Sequence, residues 1–440
     1  MKQFDLVVIG FGKGGKTLAK FAASRGNKVA MIEKSKAMYG GTCINTGCIP
    51  SKTLIHEGLN HGDFHEGISR KKDVVDALNN KNYHNLADED SIEVLDYTAK
   101  FKSNNEINLL DDNDKVIETL AAKNIVINTG AISTIPPIEG GETSQHLYDS
   151  SGIMRLASQP KQLVIVGAGY IALEFASMFA NFGTQVTVLE RGGDIMTKED
   201  KDIVEEVKKD LADKEIDIIF NVDTERFEDT ESGTIVHTSH GSFEADAVLL
   251  ATGRKPNVDL DIENTDISLG EHGEIKVNEY LQTSAPHVYA IGDVKGGMQF
   301  TYISLDDFRI VKDQLFGDRK RSTKNRGAVP YTVFIDPPLA RVGLTGDEAN
   351  KQGYNVIENA IPVNTIPRHK VDNDSRGLFK AVVDKDTGVI LGASLYGPKS
   401  EEIINVIKLA IDQKLNYKIL NDNIYTHPTM VESFNDLFNM

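Results

Sequence analysis

The sequence has few cysteines, no excess of basic residues and no long hydrophobic run. Only two cysteines occur in 440 residues, and the formal net charge is -17. This acidic balance argues against binding to nucleic acid or to a membrane surface. No apolar stretch reaches the roughly 20 residues that a membrane-spanning helix needs. The apolar run at Phe4–Ile9 lacks the basic flank of a signal peptide. We therefore predict a cytoplasmic globular protein of several domains.

The two cysteines, Cys43 and Cys48, lie close together in the chain. A reducing compartment gives little use for a structural disulfide, so a close pair there indicates metal binding or redox chemistry. Two cysteines cannot complete a thiolate zinc site, and no nearby pair of histidines has the spacing to help. The pattern therefore predicts no metal site and favours a redox-active pair, with two inert core thiols as the alternative.

A glycine-rich motif near the N-terminus has the full context of a dinucleotide-binding fingerprint. The apolar strand Leu6–Ile9 leads into Gly10-Phe11-Gly12-Lys13-Gly14-Gly15 and a helical stretch, and a second strand, Lys28–Ile32, ends on Glu33. Strand, GxGxxG, helix, strand and terminal acid are the elements that such a fingerprint requires. The segment therefore predicts a bound dinucleotide.

Each key position of this pattern has a physical role. Gly10 makes the tight turn, Gly12 lets the backbone approach a pyrophosphate, and Gly15 lets the helix and the strand pack closely. The N-terminus of the helix supplies amides and positive potential for the phosphates. Glu33 is placed to accept hydrogen bonds from a ribose.

The same pattern recurs in the middle of the chain. The strand Leu163–Val166 leads into Gly167-Ala168-Gly169, a helix is expected to begin near Leu173, and the strand Gln185–Leu189 ends on Glu190. Two complete copies predict two bound dinucleotides. An acid at the Glu190 position favours NADH because it bonds a free 2′-hydroxyl and repels a 2′-phosphate. The neighbouring Arg191 leaves NADPH open.

The cysteine pair follows the first copy, within Gly40-Gly41-Thr42-Cys43-Ile44-Asn45-Thr46-Gly47-Cys48-Ile49-Pro50-Ser51-Lys52. On one helix beginning near Thr42, the two side chains would lie within about one and a half turns of each other. The start of such a helix would also stabilise a thiolate. Both features favour a reversible disulfide.

This cysteine segment resembles the active-site motif of the pyridine nucleotide–disulfide oxidoreductases, the family of lipoamide dehydrogenase, glutathione reductase and mercuric reductase. The resemblance extends over essentially the whole chain. Its other motifs, in chain order, are Asn128–Gly130, Ala251–Asn257, Ala290–Val294 and His427–Glu432.

The resemblance implies an α/β protein with two Rossmann-like domains, for FAD and NAD(P)H, and a C-terminal α+β dimerisation domain. The FAD domain would comprise residues 1–145 and 265–330, the NAD(P)H domain 146–264, and the interface domain 331–440. The further cofactor-binding residues that it implies are Gly41, Thr42, Lys52, Thr129, Gly130, Tyr170, Gly253, Arg254, Gly292 and Asp293.

The resemblance also implies a two-electron relay from nicotinamide through flavin to the cysteines. Cys48 would lie against the flavin, deeper along the helix, and Cys43 would face outward and attack the substrate. His427, held by Glu432 and supplied by the other subunit of a homodimer, would handle the proton of Cys43.

Two charged residues and one tyrosine complete the implied site. Lys52 and Glu174 would form an ion pair near the flavin, with two ordinary surface charges as the alternative. Tyr170 resembles the family's aromatic gate over the nicotinamide pocket.

The segments Gly296–Arg309, Tyr425–Met430 and Glu432–Phe438 most resemble the reactive-chlorine-resistance flavoproteins. This resemblance implies reduction of a small oxidant, hypothiocyanous acid, in oxidative stress defence. Cys43 and Cys48 are not accompanied by the second, C-terminal cysteine pair of mercuric reductases, which argues against efficient mercury handling. Three alternatives remain open: a dihydrolipoyl dehydrogenase subunit of a large complex, a mercury or copper reductase, and a redox-sensing flavoprotein without turnover.

Overall fold

The computed structural model describes residues 1–440, and its N-terminal part forms the first dinucleotide fold. Seven strands occur in this part: β1 (Lys2–Ile9), β2 (Val29–Ile32), β3 (Ile92–Leu95), β4 (Thr98–Ser103), β5 (Glu106–Leu110), β6 (Val116–Ile127) and β7 (Ala131–Ser133). Four helices accompany them: α1 (Lys13–Ala23), α2 (Thr42–Asn45), α3 (Cys48–Leu59) and α4 (Phe64–Ala87).

The first six of these strands form one sheet in the order β3-β2-β1-β6-β5-β4. β1 pairs in parallel with β2 and β6, and Ile9 lies opposite Ile127. Both faces of β1 are covered, which explains the nearly continuous apolar run that the sequence shows there. The register brings the turn after β1 beside the residue that follows β6, Asn128.

The second dinucleotide fold follows in the middle of the chain. Its strands are β8 (Leu147–Tyr148), β9 (Gln162–Val166), β10 (Gln185–Leu189), β11 (Ile216–Ile219), β12 (Thr224–Asp229), β13 (Thr234–Thr238), β14 (Gly241–Ala245) and β15 (Ala247–Leu250). Its helices are α5 (Ser150–Ile153), α6 (Tyr170–Asn181) and α7 (Lys201–Asp213). A parallel sheet has the order β11-β10-β9-β15-β8, and β12, β13 and β14 form a separate antiparallel sheet.

The helix after the second glycine turn begins at Tyr170, three residues before the predicted start near Leu173. Gly169 has an extended backbone and serves as the N-cap. The helix therefore starts directly after the second glycine, and its first amides belong to the turn itself.

The chain then returns to the N-terminal dinucleotide fold. The returning elements are β16 (Arg254–Pro256), β17 (Val288–Ala290) and α8 (Thr301–Phe316). β16 pairs with β7, and β17 adds a parallel strand beside β6. The first sheet is therefore built from segments on both sides of the mid-chain fold.

The C-terminal part forms one antiparallel sheet with helices. Its strands, in the order β18-β19-β22-β21-β20, are β18 (Tyr331–Val333), β19 (Leu339–Gly343), β20 (Val356–Pro362), β21 (Leu378–Asp384) and β22 (Ile390–Tyr396). Its helices are α9 (Gly346–Lys351), α10 (Arg368–Asp372), α11 (Ser400–Asp412), α12 (Lys418–Asn421) and α13 (Phe434–Leu437). The predicted fold class, an α/β protein with two Rossmann-like domains and a C-terminal α+β dimerisation domain, is confirmed.

None of the helices combines the length and the apolar character that crossing a bilayer requires.

Candidate active site

A cavity of about 1220 Å³ contains most of the predicted site residues. Fifteen of them line it: Gly10, Gly12, Glu33, Gly41, Thr42, Cys43, Cys48, Lys52, Thr129, Gly130, Tyr170, Glu174, Arg254, Gly292 and Asp293. The remaining predicted residues lie outside its lining: Gly15, Gly167, Gly169, Glu190, Gly253, His427 and Glu432. The structure thus gathers the first glycine turn, the cysteines and the ion-pair residues, and leaves the second glycine turn and the histidine elsewhere.

The first glycine turn is fixed by Asn128. Gly10 has a positive φ of 98°, and a Cβ at this position would collide with the carbonyl oxygen of Asn128. The side-chain oxygen of Asn128 accepts a hydrogen bond from the amide of Gly15 at 2.9 Å. Its side-chain nitrogen donates to the carbonyl of Ile291 at 3.0 Å. Asn128 therefore ties the turn to the returning segment that precedes Gly292.

Sequence reasoning did not assign a site role to Asn128 or to Ser304. The hydroxyl of Ser304 accepts a hydrogen bond from the amide of Gly14 at 3.1 Å. A polar residue directly after a buried apolar strand was the available signal for Asn128. No local signal marks Ser304, because it lies 290 residues from its partner.

The two acids at the strand ends make equivalent contacts. Glu33 accepts the amide of Phe11 at 3.0 Å, and Glu190 accepts the amide of Ala168 at 2.8 Å. Each acid therefore bonds the residue after the first glycine of its own turn. Burial raises the pKa of Glu33. Hydrogen bonding of either acid to a ribose stays a prediction.

The second glycine turn has open space where a ligand would pass. Gly167 has a positive φ of 97°, and a Cβ there would lie 2.8 Å from the carbonyl oxygen of Ala251. No atom lies within 4 Å of a Cβ built on Gly169 or on Gly253. A dinucleotide backbone could therefore approach this edge of the mid-chain sheet.

The cysteines lie on two helices, and the prediction of one continuous helix is wrong. α2 ends at Asn45 and α3 begins at Cys48, with Gly47 in a non-helical conformation between them. A Cβ on Gly47 would approach the carbonyl oxygen of Thr42 to 3.0 Å, so the tight break suits a glycine. Cys48 is therefore the first residue of its helix, not a residue deeper along a shared one.

Cys48 is the more acidic of the two thiols. A hydrogen bond from Cys43 is the main cause that lowers the pKa of Cys48 to about 6, with help from Thr301, the charge of Lys52 and the backbone amide of Cys48 itself. The Thr301 hydroxyl lies 3.6 Å from the sulfur, at the start of α8. Thr301 is another residue that sequence reasoning missed.

Cys43 has the opposite electrostatics. The hydrogen bond with Cys48 and burial both raise the pKa of Cys43, and both cysteines are free thiols in the structure. A thiol with a raised pKa needs a base before it can attack a substrate. The pair therefore consists of one thiolate and one thiol that requires activation.

Lys52 and Glu174 form the ion pair that the sequence predicted. The ammonium of Lys52 donates to Glu174 at 2.5 Å and lies 4.7 Å from the ring centre of Phe334. The other carboxylate oxygen of Glu174 accepts the amide of Phe334 at 2.9 Å. The alternative, two ordinary surface charges, is wrong, because the carboxylate is buried and both groups line the cavity.

Arg254 and Asp293 lie on the returning segment. The guanidinium of Arg254 donates to the carbonyl of Ala131 at 2.5 Å. Burial raises the pKa of Asp293, while the nearby Arg254 and Lys295 oppose this effect. Both residues line the cavity, where they could contact polar parts of a cofactor.

His427 contacts Glu432, as predicted, through a 2.8 Å contact between Nδ1 and a carboxylate oxygen. The same carboxylate accepts the amide of Thr429 at 3.1 Å, which fixes its position. The His427 side chain is 68% exposed and does not line the cavity of its own chain. Its second ring nitrogen is therefore available to a partner.

Replacing Gly10 with alanine is expected to destabilise the protein by roughly 3–5 kcal/mol, because the new Cβ collides with backbone and φ is positive. Gly26→Ala is the matched control: Gly26 also has a positive φ, 81°, but nothing lies within 4 Å of its Cβ. We expect a loss of only about 1–2 kcal/mol there. Denaturant unfolding of both variants measures the difference, and equal losses would contradict the steric explanation.

Comparison with known proteins identifies the family. The pyridine nucleotide-disulphide oxidoreductase family model matches residues 4–307. This chain belongs to that family. The family's dimerisation domain matches residues 329–438, so the oxidoreductase is a homodimer. The predictions of an oxidoreductase with FAD and NAD(P)H as its cofactors are confirmed.

Three relatives place the oxidoreductase within the family. The Escherichia coli (strain K12) "Probable pyridine nucleotide-disulfide oxidoreductase RclA" is 48% identical over 100% of both chains. A mercuric reductase of Staphylococcus aureus is 32% identical over 98% of this chain and 81% of that protein. A dihydrolipoyl dehydrogenase of Geobacillus stearothermophilus is 32% identical over 98% of this chain and 94% of that protein.

Solved structures agree with these relatives. The Cu(II) complex of the HOCl-induced flavoprotein disulfide reductase RclA from Escherichia coli has a TM-score of 0.97 with this chain. The structural match covers 100% of this chain and 99% of the Escherichia coli chain.

Proposed function

We propose that this oxidoreductase passes electrons from NADH to Cys43 and Cys48 and on to hypothiocyanous acid. The observation that carries the proposal is the electrostatic asymmetry of the two sulfurs in one cavity. Such a pair can attack a small electrophile with one sulfur and resolve the adduct with the other. Full-length similarity to a disulfide reductase described as HOCl-induced supports an oxidant as the substrate class.

The residues around the cavity fit FAD. The glycine turn after β1 leaves no room for side chains, and the N-terminus of α1 directs positive potential at the place where a pyrophosphate would lie. Glu33, Thr42 and Asp293 would bond polar parts of the cofactor, and Lys52 would face its reducible ring. When bound, FAD supplies hydride acceptance from nicotinamide and two-electron reduction of the disulfide.

The cysteines perform the chemistry on the oxidant. Cys43, deprotonated by a base, attacks the sulfur of hypothiocyanous acid, and the sulfur–oxygen bond breaks. The oxygen leaves as water after taking up a proton. The Cys48 thiolate then attacks the Cys43 sulfur, a disulfide forms, and thiocyanate leaves with the remaining electron pair.

We assign the base to His427 of the partner subunit. The raised pKa of Cys43 creates the need for a base, and His427 is exposed and oriented by Glu432. A neutral imidazole that takes the Cys43 proton can return it to the departing oxygen. Glu432 would fix the tautomer through Nδ1 and leave the other nitrogen for the thiol.

The domain limits and the location are part of the same proposal. We assign residues 1–145 and 265–330 to FAD, residues 146–264 to NAD(P)H and residues 331–440 to the interface. The return to the first fold begins somewhat before residue 265, because Arg254–Pro256 already pairs with β7. The pairing of β17 with β6 supports the two-segment FAD domain. The cytoplasmic location stays a prediction.

NADH is expected to be used at least about tenfold better than NADPH, because Glu190 repels a 2′-phosphate. Glu190→Gln should reduce the preference for NADH over NADPH. The side-chain oxygen of glutamine can still accept the hydrogen bond from the backbone amide of Ala168, while the negative charge is lost. Arg191→Gln is the neighbouring control and should lower NADPH use alone. Ratios of kcat/KM for both nucleotides test this, and a wild-type preference for NADPH would contradict it.

The proposed function is tested by steady-state NADH oxidation with separate acceptors: hypothiocyanous acid, lipoamide, glutathione disulfide, mercuric ion and cupric ion. Cys43→Ser is assayed beside the wild type. We expect fast turnover of hypothiocyanous acid that the variant loses. Preference for lipoamide would move the protein to the dehydrogenase branch, and absence of turnover with every acceptor would favour a redox sensor.

Metal-ion reduction is a second candidate, favoured by the mercuric reductase relatives and by the Cu(II) complex of the Escherichia coli protein. In this chain, no group of three or more histidine, cysteine, aspartate or glutamate residues is arranged to hold a metal ion. A metal substrate would therefore rely on the two cysteines. Faster turnover with cupric or mercuric ion than with hypothiocyanous acid would establish this candidate.

A further inference from the structure

Glu199 is a buried carboxylate that joins two domains through two tyrosines. One of its oxygens accepts the hydroxyl of Tyr170 at 2.5 Å and the hydroxyl of Tyr331 at 2.5 Å. Glu199 and Tyr170 belong to the mid-chain fold, whereas Tyr331 begins the C-terminal sheet. Burial, reinforced by the charge of Glu199, raises the pKa of both tyrosines, so both hydroxyls stay protonated as donors.

The charge of Glu199 is compensated from the C-terminal part. Its second oxygen lies 3.5 Å from the guanidinium of Arg341, which also donates to the carbonyl of Lys198 at 2.5 Å. The Glu199 side chain has no exposed surface. A carboxylate this deeply buried is stable only when it is paired and hydrogen-bonded, so the two tyrosines and Arg341 fix its position.

The two tyrosines are also stacked. Their ring centres are 5.9 Å apart with planes 24° from parallel. Phe300 also stacks on Tyr331 at 6.2 Å, and Tyr302 stacks on Phe300 at 5.0 Å. All four rings line the cavity, and the stack ends next to Thr301, which contacts Cys48. Tyr170 is therefore held at its hydroxyl and against its ring face.

The position of Tyr170 in the cavity means that fixing its side chain affects nucleotide binding. Tyr170 and Glu174 are four residues apart on α6 and share one face of the helix. Tyr170, Glu174 and Lys52 line the same cavity, so the Tyr170 ring is a neighbour of the ion pair. A nicotinamide that enters between Tyr170 and that pair would have to displace the Tyr170 ring from its place.

We propose that Glu199 is a positioning residue that, together with Tyr331, holds Tyr170 across the nicotinamide approach and so sets the affinity for the nucleotide. This inference rests on the proposed function in one respect, the entry of nicotinamide on the Lys52–Glu174 side. Glu199 touches neither the cysteines nor the cavity, and its action passes entirely through Tyr170.

The test is nucleotide affinity in Tyr331→Phe, which keeps the stacked ring and removes one donor, and in Glu199→Gln, which keeps the shape and removes the charge. Titration calorimetry with NAD⁺ on the flavin-loaded dimer gives the dissociation constant without turnover, and KM for NADH is measured in parallel. In Glu199→Gln, the bond that must break when Tyr170 moves loses its charged acceptor, and we expect affinity to rise roughly three- to tenfold. In Tyr331→Phe, Glu199 loses one of the two hydroxyls that fix its position while the Tyr170 bond remains, and we expect a smaller rise.

The matched control is Tyr396→Phe. The Tyr396 hydroxyl donates to the carboxylate of Asp210 at 2.7 Å, so it is another buried bond from the C-terminal sheet to the mid-chain fold. Tyr396 does not line the cavity. We expect this variant to lose thermal stability as Tyr331→Phe does, with no change in NAD⁺ affinity.

A double-mutant cycle decides the outcome. In a Tyr170→Phe background, Tyr331→Phe should no longer change NAD⁺ affinity, because the hydroxyl that Glu199 holds is gone. Unchanged affinity in the single variants, or the same change with and without the Tyr170 hydroxyl, would overturn the inference. Failure of the proposed function is separate, since it would appear as absent turnover of oxidants with the NAD⁺ titrations intact.

Discussion

Replacing either Cys43 or Cys48 with serine is expected to lower turnover of every disulfide-dependent acceptor roughly 10³-fold or more, because neither sulfur alone can complete a two-electron exchange. The two variants should nevertheless differ in their thiol chemistry. Cys48 ionises with a pKa of about 6, whereas the pKa of Cys43 is raised. Each variant retains one cysteine, so each sulfur can be titrated by itself.

The remaining thiol is titrated by its rate of alkylation with iodoacetamide, followed by mass spectrometry from pH 5 to pH 9. A lowered pKa means that the thiolate is present above that pKa and is lost below it. In Cys43→Ser, which keeps a hydroxyl donor beside Cys48, the rate should rise through about pH 6 and then level off.

Cys43→Ala is the control that isolates the effect of the Cys43 hydrogen bond on the pKa of Cys48. The hydrogen bond from Cys43 contributes most to the lowered pKa of Cys48, and alanine cannot donate one. The inflection should therefore move to higher pH in Cys43→Ala. An inflection near pH 9 in both variants would show that the Cys48 thiolate is not stabilised at all.

Mixing two inactive homodimers is expected to restore activity if His427 acts in the partner's site. A Cys43→Ser chain contributes an intact His427, and a His427→Ala chain contributes an intact Cys43. When these chains pair, one of the two sites contains only native residues. Random assortment makes half of the dimers mixed, so roughly a quarter of the wild-type activity should return.

The chains are mixed after reversible dissociation, and activity with hypothiocyanous acid is followed as the subunits exchange. A mixture of Cys43→Ser with a Cys43→Ser/His427→Ala chain is the control, because no pairing of those chains gives a native site. If the first mixture stays inactive although mixed dimers are detected by mass, His427 acts within its own subunit and our assignment is wrong.

Much of this protein was predictable from local sequence. Both glycine turns follow buried strands and end on an acid at the expected distance, and the structure places Gly10 and Gly167 at positive φ. Turn geometry depends on a few neighbouring residues, so spacing along the chain reveals it. The cysteine segment and the family were recognisable for the same reason.

The arrangement of the two cysteines was not predictable from their spacing. Five residues suit one helix, but the chain breaks at Gly47 and makes Cys48 the first residue of α3. Helix spacing alone cannot reveal such a break, because the break lies in the backbone conformation at Gly47, which residue spacing does not encode. The lowered pKa of Cys48 follows mainly from the hydrogen bond with Cys43, and Thr301 and Lys52 add to it.

The sequence by itself determined the two dinucleotide turns, the cysteine pair and the Lys52–Glu174 partnership suggested by its family motifs. Only the tertiary structure brought Asn128 and Ser304 to the glycine turn and Thr301 to Cys48, since these partners lie 113, 290 and 253 residues apart. It alone joined Glu199 to Tyr170 and Tyr331. Contacts of this kind depend on strand pairing and domain packing, which leave no periodic signal in the chain.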